Sequence, residues 1–447
     1  MLIAWSVIGV SANAMGAFAP SWGITVPVLA AAGMLHCTIG FWDDGGRRIT
    51  VPGIYFFAAG LFIYFPALSL AFHEANFRHG PAATMTALNI CYFAQLLMYS
   101  LWWEPRDDAT DELVQASTSS RTAAWGTWWG VTLVTLGTIS SRIGGDRGAF
   151  VLANGAAFSG VVLLSVSQFG GAKRTSALGY AAVAGSFFAY VAFVFTGFGR
   201  LQIGALGLAI AVPLAPHWRG RRLKAAVLLA IAPTIAYLAA SRAAFTGSLN
   251  PNQAANITGL ESVISPYERF AELLYMASQG NISYNYGQSF LASLVSMVPR
   301  QLWSGKPVGF GADLATLFDP ELAGTGQSEA ALLFGEWLFA FGVLGLVAMV
   351  PLTGYVLKRL DHVLLLSQSR GLNDRRDLLA VTASVVLCSN VVDLLWGGTF
   401  TYVSRVGPRL IVILALFMLT VWREPRPHEK TRHIASSWQD EEKVTQS

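Results

Sequence analysis

The chain has 447 residues, 53% of them hydrophobic and 13% charged, with a mean hydropathy of +0.49. Soluble globular proteins carry about 25% charged residues and cannot hide this much apolar surface, so composition excludes a soluble enzyme, a disordered chain and a nucleic-acid binder. The net charge of +4 says nothing about partners until it is sorted by membrane side.

A helix crosses the hydrocarbon core with about 20 apolar residues. Twelve such segments are expected, at 2–20, 22–42, 51–72, 82–103, 122–141, 149–168, 176–197, 201–216, 223–241, 331–357, 378–397 and 403–422. The first lacks a charged leading region and a cleavage site, so it reads as a retained span. His217–Lys224 carries Arg219, Arg221, Arg222 and Lys224, and Lys358–Asp377 carries Lys358, Arg359, Arg370, Arg375 and Arg376. Excess Lys and Arg mark the cytoplasmic side. Placing these two loops and the tail inside fixes the rest by alternation, with 20 of the 30 basic residues inside and both termini cytoplasmic. Lone His36, in an apolar span, reads as structural. Cys37, Cys91 and Cys388 lie in apolar stretches and suggest neither a disulfide framework nor a zinc site. No internal repeat and no inverted symmetry of interrupted helices of the kind transporters show is expected.

The organisation is therefore asymmetric: a bundle of about nine helices over 1–241, a long outer loop over 242–330, three further helices over 331–422, and a tail over 423–447. The loop does not read as structureless. Ser265-Pro266-Tyr267-Glu268 has the form of a helix start, with a Ser cap, Pro at the first helical position and Glu three after the cap. Phe270, Leu273, Leu274 and Ala277 continue at helical spacing to Gly280. Gln288–Val298 is apolar but too short to span, which suggests an interfacial segment. Arg242–Ala330 holds seven acids and four bases, a net of −3.

The densest string in that loop is Met297–Gly311, MVPRQLWSGKPVGFG. Arg300 offers a planar fork for a phosphate or diphosphate, and Lys306 adds a point charge. Trp303 offers a flat face for a sugar ring, and Gly and Pro stiffen the loop. On composition alone, the competing reading is that Arg300 and Lys306 snorkel to lipid headgroups.

Tyr284–Gly345 resembles the Wzy-type polymerases of lipid-linked oligosaccharide repeat units. The residues that carry the resemblance are Tyr286-Gly287, Pro299-Arg300, Trp303 and Lys306-Pro307, followed by Gly335-Glu336, Phe341-Gly342 and Gly345. Ser241-Arg242 is similar to a short family element, and Arg300 with Gly311 fits a further spacing. The match covers about 60 residues by motif and the whole chain by layout. The resemblance implies a GT-C-like fold and a metal-independent reaction without cofactor at the outer face of a bacterial inner membrane. An undecaprenyl-diphosphate-linked glycan is transferred to a second lipid-linked repeat unit, building an O-antigen, capsule or exopolysaccharide. Partners are then the donor, the acceptor, membrane lipid and a chain-length-regulating protein.

Charge grows on the diphosphate as the glycosidic bond breaks, and preorganised cations lower that barrier. Arg300 is the first choice, then Arg242, Arg405 and Arg409. A charge within a span is a functional candidate by default. The acceptor hydroxyl needs a base: Glu336 and then Asp393 are the candidates, with Glu329 and Asp313 behind them. Tyr286, Lys306 and Trp303 complete the expected substrate-binding set. Two alternatives stand. An O-antigen ligase-like transferase tends to carry a catalytic His in the outer loop, and Arg242–Ala330 holds none. A flippase of lipid-linked sugars suits twelve spans, but few charges are expected within them.

Overall fold

A computed structural model describes residues 2–18, 22–72, 81–102, 119–143, 147–171, 175–195, 201–218, 220–231, 261–298, 302–303, 305–322, 328–369 and 371–423. The architecture is helical, with no strand among the described residues. In chain order come α1 (Leu2–Phe18), α2 (Trp22–Asp43), α3 (Val51–Ala59), a π-helical turn at Gly60–Tyr64, α4 (Phe65–Ala71), α5 (Pro81–Trp102), α6 (Ser120–Ile143) and α7 (Arg147–Phe169). Then follow α8 (Ala177–Ala189), a second π-helical turn at Tyr190–Val194, α9 (Leu201–Leu214) and helical residues 221–231. The long segment after them contributes α10 (Glu261–Ser278), α11 (Gln288–Leu294) and α12 (Phe310–Phe318), and α13 (Leu332–Ser369), α14 (Arg375–Ser389) and α15 (Val391–Arg423) follow.

Six helical stretches among the described residues are long and apolar enough to cross a membrane: Ile24–Asp43, Val51–Ala71, Phe150–Phe169, Ala177–Val194, Leu332–Ser369 and Val391–Thr420. The protein is thus a helical membrane protein. Its tightest pair is α6 on α7. A Cβ at Gly130 or Gly160 would sit within 3.0 Å of the other helix's backbone, the close approach that small residues permit between membrane helices.

Loops gather at two ends of the bundle. At one, Gly220 lies on the backbone of Arg47, and Lys224 Nζ donates to the carbonyls of Trp42 (3.2 Å) and Asp44 (2.6 Å). At the same end Asp361 accepts from Val51 N at 3.0 Å, and the Thr122 hydroxyl donates to the carbonyl of Asn373. This basic end contains the loops richest in Lys and Arg. The opposite end carries α10, whose Tyr267 hydroxyl donates to the Thr84 carbonyl at 2.7 Å.

Three expectations need correction. α10 begins at Glu261, so Pro266 lies inside the helix and Ser265 is not its cap. The segment 331–357 is not one uninterrupted span. Gly342 has φ +65°, and a Cβ on Gly345 would meet the Trp337 carbonyl at 2.3 Å. Eight residues of straight helix span about 12 Å, so the chain bends sharply there. α14 also ends early, at Ser389. The chain continues through Asn390 into the first part of α15 and reverses at Gly398, φ +79°. Side-chain bonds from Arg405 back to Asp393 and from Arg409 back to Asn390 require a hairpin, because nineteen residues of straight helix would span about 28 Å. Two interrupted helices are therefore present, at Gly342 and Gly398.

His36 is buried among the rings of Trp5, Phe56 and Tyr99 and accepts from Gln95 Nε2 at 2.8 Å. The three cysteines are free and buried.

Candidate functional site

The hairpin at Gly398 sets two short rows of polar side chains against each other in an apolar interior. Asn390 and Asp393 lie one turn apart on the ascending limb, and Arg405 and Arg409 one turn apart on the descending limb. Arg405 pairs with Asp393 Oδ1 and lies over the Trp396 ring. Arg409 donates to Asn390 Oδ1, and its guanidinium sits 3.5 Å from the centre of the Phe158 ring. Arg409 is 1% exposed and Asp393 0%. Two guanidiniums face one carboxylate, a net of +1. Among the described residues no carboxylate forms an ion pair with Arg409, and Asp393 Oδ2 is buried without a hydrogen-bond partner. An unmatched charge in such a setting is costly unless something compensates it.

Neutral polar groups extend the row. Phe158 packs on Tyr190 in the second π-helical turn, ring centres 6.2 Å apart. The Tyr190 hydroxyl lies 3.1 Å from both Asn154 Oδ1 and Gln202 Oε1. Asn154 Nδ2 donates to Gln202 at 3.2 Å. A π-helical turn shifts side chains off the helical register and recurs at functional sites; here it aims Tyr190 at α7 and α9. Sequence reading missed Asn390, Tyr190, Asn154 and Gln202. The available signal was polar side chains within apolar segments, three of them within the expected outer thirds of their spans.

Glu336 is fully buried. Its Oε2 accepts from Thr399 N at 2.5 Å and its Oε1 from Phe400 N at 3.3 Å. Both are leading N–H groups of the descending limb, where a helix leaves donors unpaired and favours negative charge. A Cβ on Gly398 would lie 2.6 Å from Glu336 Oε2, so both the left-handed φ and the close approach demand glycine. Glu336 is thus tied to backbone rather than to an arginine.

The loop string covers the same limb. A Cβ on Gly309 would meet the Phe400 ring at 2.3 Å, and one on Gly407 would meet Met297 at 2.4 Å. Lys306 Nζ donates to the carbonyls of Ser296 (3.0 Å) and Val298 (2.8 Å), closing the loop on itself. Trp303 is 42% exposed. Gly311 approaches Ser328 and Glu329 too closely for a side chain and accepts from Glu329 N at 2.9 Å. The structure therefore brings Glu336, Asp393, Arg405, Arg409 and the ends of the 297–309 string to one helix. Tyr286 lies elsewhere, 83% exposed at φ +48° in a turn over Phe341. Arg300 and Arg242 lie outside the described residues.

The further acids divide. Glu329 and Glu272 both pair with Arg269, at 2.6 and 2.5 Å, and Arg269 also lies 4.5 Å from the Phe318 ring centre. Burial opposes the charge of Arg269, but the two glutamates outweigh it and hold the guanidinium above its ordinary range. Asp313, in the first turn of α12, is pushed up to about 6 by burial, against a smaller opposing effect of the Asn285 amide.

No group of three or more His, Cys, Asp or Glu suited to a metal ion occurs among the described residues. No family model matches the chain, and neither the curated proteins nor the solved structures contain a significant match to it.

Proposed function

We propose that this chain is a Wzy-type membrane glycosyltransferase that polymerises undecaprenyl-diphosphate-linked repeat units into a surface polysaccharide. The observation that carries the reading is the guanidinium of Arg409, without a carboxylate partner among the described residues and buried beside the Arg405–Asp393 pair on the limb that Met297 and Gly309 cover. A net-positive site in a bundle interior suits a diphosphate, and arginine forks fit its oxygens in pairs. The basic end is cytoplasmic under the positive-inside rule. Twelve spans, cytoplasmic termini, a GT-C-like arrangement and an outer loop in the periplasm complete the reading.

In this mechanism Arg405 and Arg409 hold the donor diphosphate, helped by Arg300 from the loop. The bond from the anomeric carbon to the diphosphate oxygen breaks, and its electron pair leaves with undecaprenyl diphosphate. The hydroxyl oxygen of the acceptor unit bonds to the anomeric carbon, and its proton passes to Asp393 Oδ2, the oxygen without a partner. Trp303 offers a face to a sugar. A chain-length-regulating protein of the same pathway and the surrounding lipid are the remaining partners.

A second reading, a flippase for the same lipid-linked units, gains support from the broken helices at Gly342 and Gly398, since transporters build midplane sites at such breaks. Replacing Arg409 with Ala in the native host separates the two. The polymerase reading expects single repeat units at the cell surface with normal insertion of the protein. Lipid-linked units stranded on the cytoplasmic leaflet favour the flippase, and long polymer at wild-type level overturns the site.

A further inference from the structure

The interior holds a second feature that the reaction above leaves without a role, the carboxylate of Glu336. Resting on that reading, we infer that Glu336 is a positioning residue, which holds the limb bearing Arg405 and Arg409 at its leading backbone N–H groups and does not take the acceptor proton.

Both oxygens of this carboxylate are committed to the start of the descending limb, Oε2 to Thr399 N and Oε1 to Phe400 N, and the Thr399 side chain bonds the same carboxylate. These bonds join the two interrupted helices. Glu336 lies six residues before the bend at Gly342, and its partners directly follow the reversal at Gly398. The descending limb has no side-chain cap of its own at this point, because the residue before Thr399 is glycine. Without the carboxylate, two donors would be left in a fully buried position, a cost of the kind that folded proteins avoid. The clamp continues outward, because Phe400 also receives Gly309 of the loop string. Arg405 and Arg409 lie less than three turns below these bonds. A rotation of the limb that frees Thr399 and Phe400 also takes both guanidiniums off Asp393 and Asn390. Glutamine cannot replace the carboxylate: one end of its amide accepts a hydrogen bond, but the other presents a donor to a donor.

The test uses the full-length protein in lipid nanodiscs and two variants that weaken the same clamp from opposite sides. Glu336→Gln removes an acceptor. Thr399→Pro removes both the Thr399 N–H and its side-chain donor to Glu336 at a helix start, where proline is tolerated, and serves alone if Glu336→Gln fails to fold. Amide hydrogen exchange at Phe400 and Thr401 is expected to speed by about tenfold or more in each variant, with residues 411–419 unchanged. Binding of inorganic diphosphate is expected to weaken by about tenfold in each, and the double variant to be no worse than the poorer single one, because both remove one interaction. Effects that multiply, or weakened binding in Glu336→Gln with unchanged exchange, overturn the inference and make Glu336 a group that meets the ligand itself. If the wild-type protein does not bind diphosphate, the anion site fails, while hydrogen exchange still decides the role of Glu336.

Discussion

The basic end of the bundle and the arginine row of the hairpin treat buried charge in opposite ways. At the basic end Lys224 is fully buried, yet two carbonyls and the Phe41 ring receive its ammonium. Asp44 there accepts from the Thr50 hydroxyl, which in turn caps α3 through Gly53 N, and Asp361 accepts from Val51 N. Each charge fastens one segment to another, and both signs are present. The hairpin instead holds two guanidiniums against one carboxylate, with one carboxylate oxygen unused. A buried charge matched by backbone is a joint. One left unmatched is stable only if something else completes it.

The largest effect should come from the unmatched charge. Arg409→Ala is expected to lower polymer formation by roughly 10²–10³-fold, the scale for losing one preorganised donor to developing charge. It should also abolish binding of inorganic diphosphate while leaving thermal stability close to wild type or higher, since an uncompensated buried charge is removed. A large loss of stability with diphosphate binding intact would place Arg409 with the joints instead. Asp361→Ala should do the reverse. It strands the buried Val51 N–H at the start of α3, a cost of about 1–3 kcal/mol, read as a fall in melting temperature. Diphosphate binding by the folded protein should be unaffected.

The contrast also explains what was legible in the sequence. The helical, membrane-spanning character was readable because twenty-residue apolar runs have few alternative fates, and six stretches among the described residues are long and apolar enough to cross a membrane. Asp393, Arg405 and Arg409 stood out as charges against that background. The breaks at Gly342 and Gly398 did not. A glycine in an apolar run looks the same whether it eases helix packing, as at Gly130 and Gly160, or turns the chain at positive φ. The start of α10 was missed for a related reason: Ser265-Pro266 has the local form of a cap, but the helix continues through it from Glu261, so tertiary packing overrode the local signal. Glu336 was recognisable as a buried acid in a motif, but its partners lie 63 and 64 residues away on backbone, where no side-chain pattern announces them.

The segment that carries α10 and α12 offers an intermediate case, in which charges are matched but partly exposed. Arg269 bridges Glu272 and Glu329 with side-chain exposures of 18%, 13% and 24%. Arg269→Ala and Glu329→Ala should each lower stability by about 1 kcal/mol, because solvent screens such pairs. The double variant should lose little more than the poorer single one, since both remove one interaction. Simple additivity in a denaturation series would show that the Arg269–Glu329 pair is not a fastening and that loop order comes from packing on Phe270 and Phe334 alone.

The smallest expected effect belongs to Asp313, an acid that burial leaves poorly matched outside the bundle. Its folded pKa of about 6 lies above the ordinary 3.8, so the folded chain holds this proton more tightly than the unfolded chain does. Stability from this group is complete below 3.8 and declines as pH rises towards about 6. Above that range the ionised carboxylate is a net cost to the fold. Asp313→Asn removes the titration, so it should flatten stability across that window and raise the melting temperature by less than about a degree at neutral pH, with no gain below 3.8. The opposite sign, a variant less stable at neutral pH, would mean that the charge at the first turn of α12 is favoured by the helix N-terminus more than burial disfavours it. Asp313 would then belong with the joints of the basic end rather than with the unmatched charges of the hairpin.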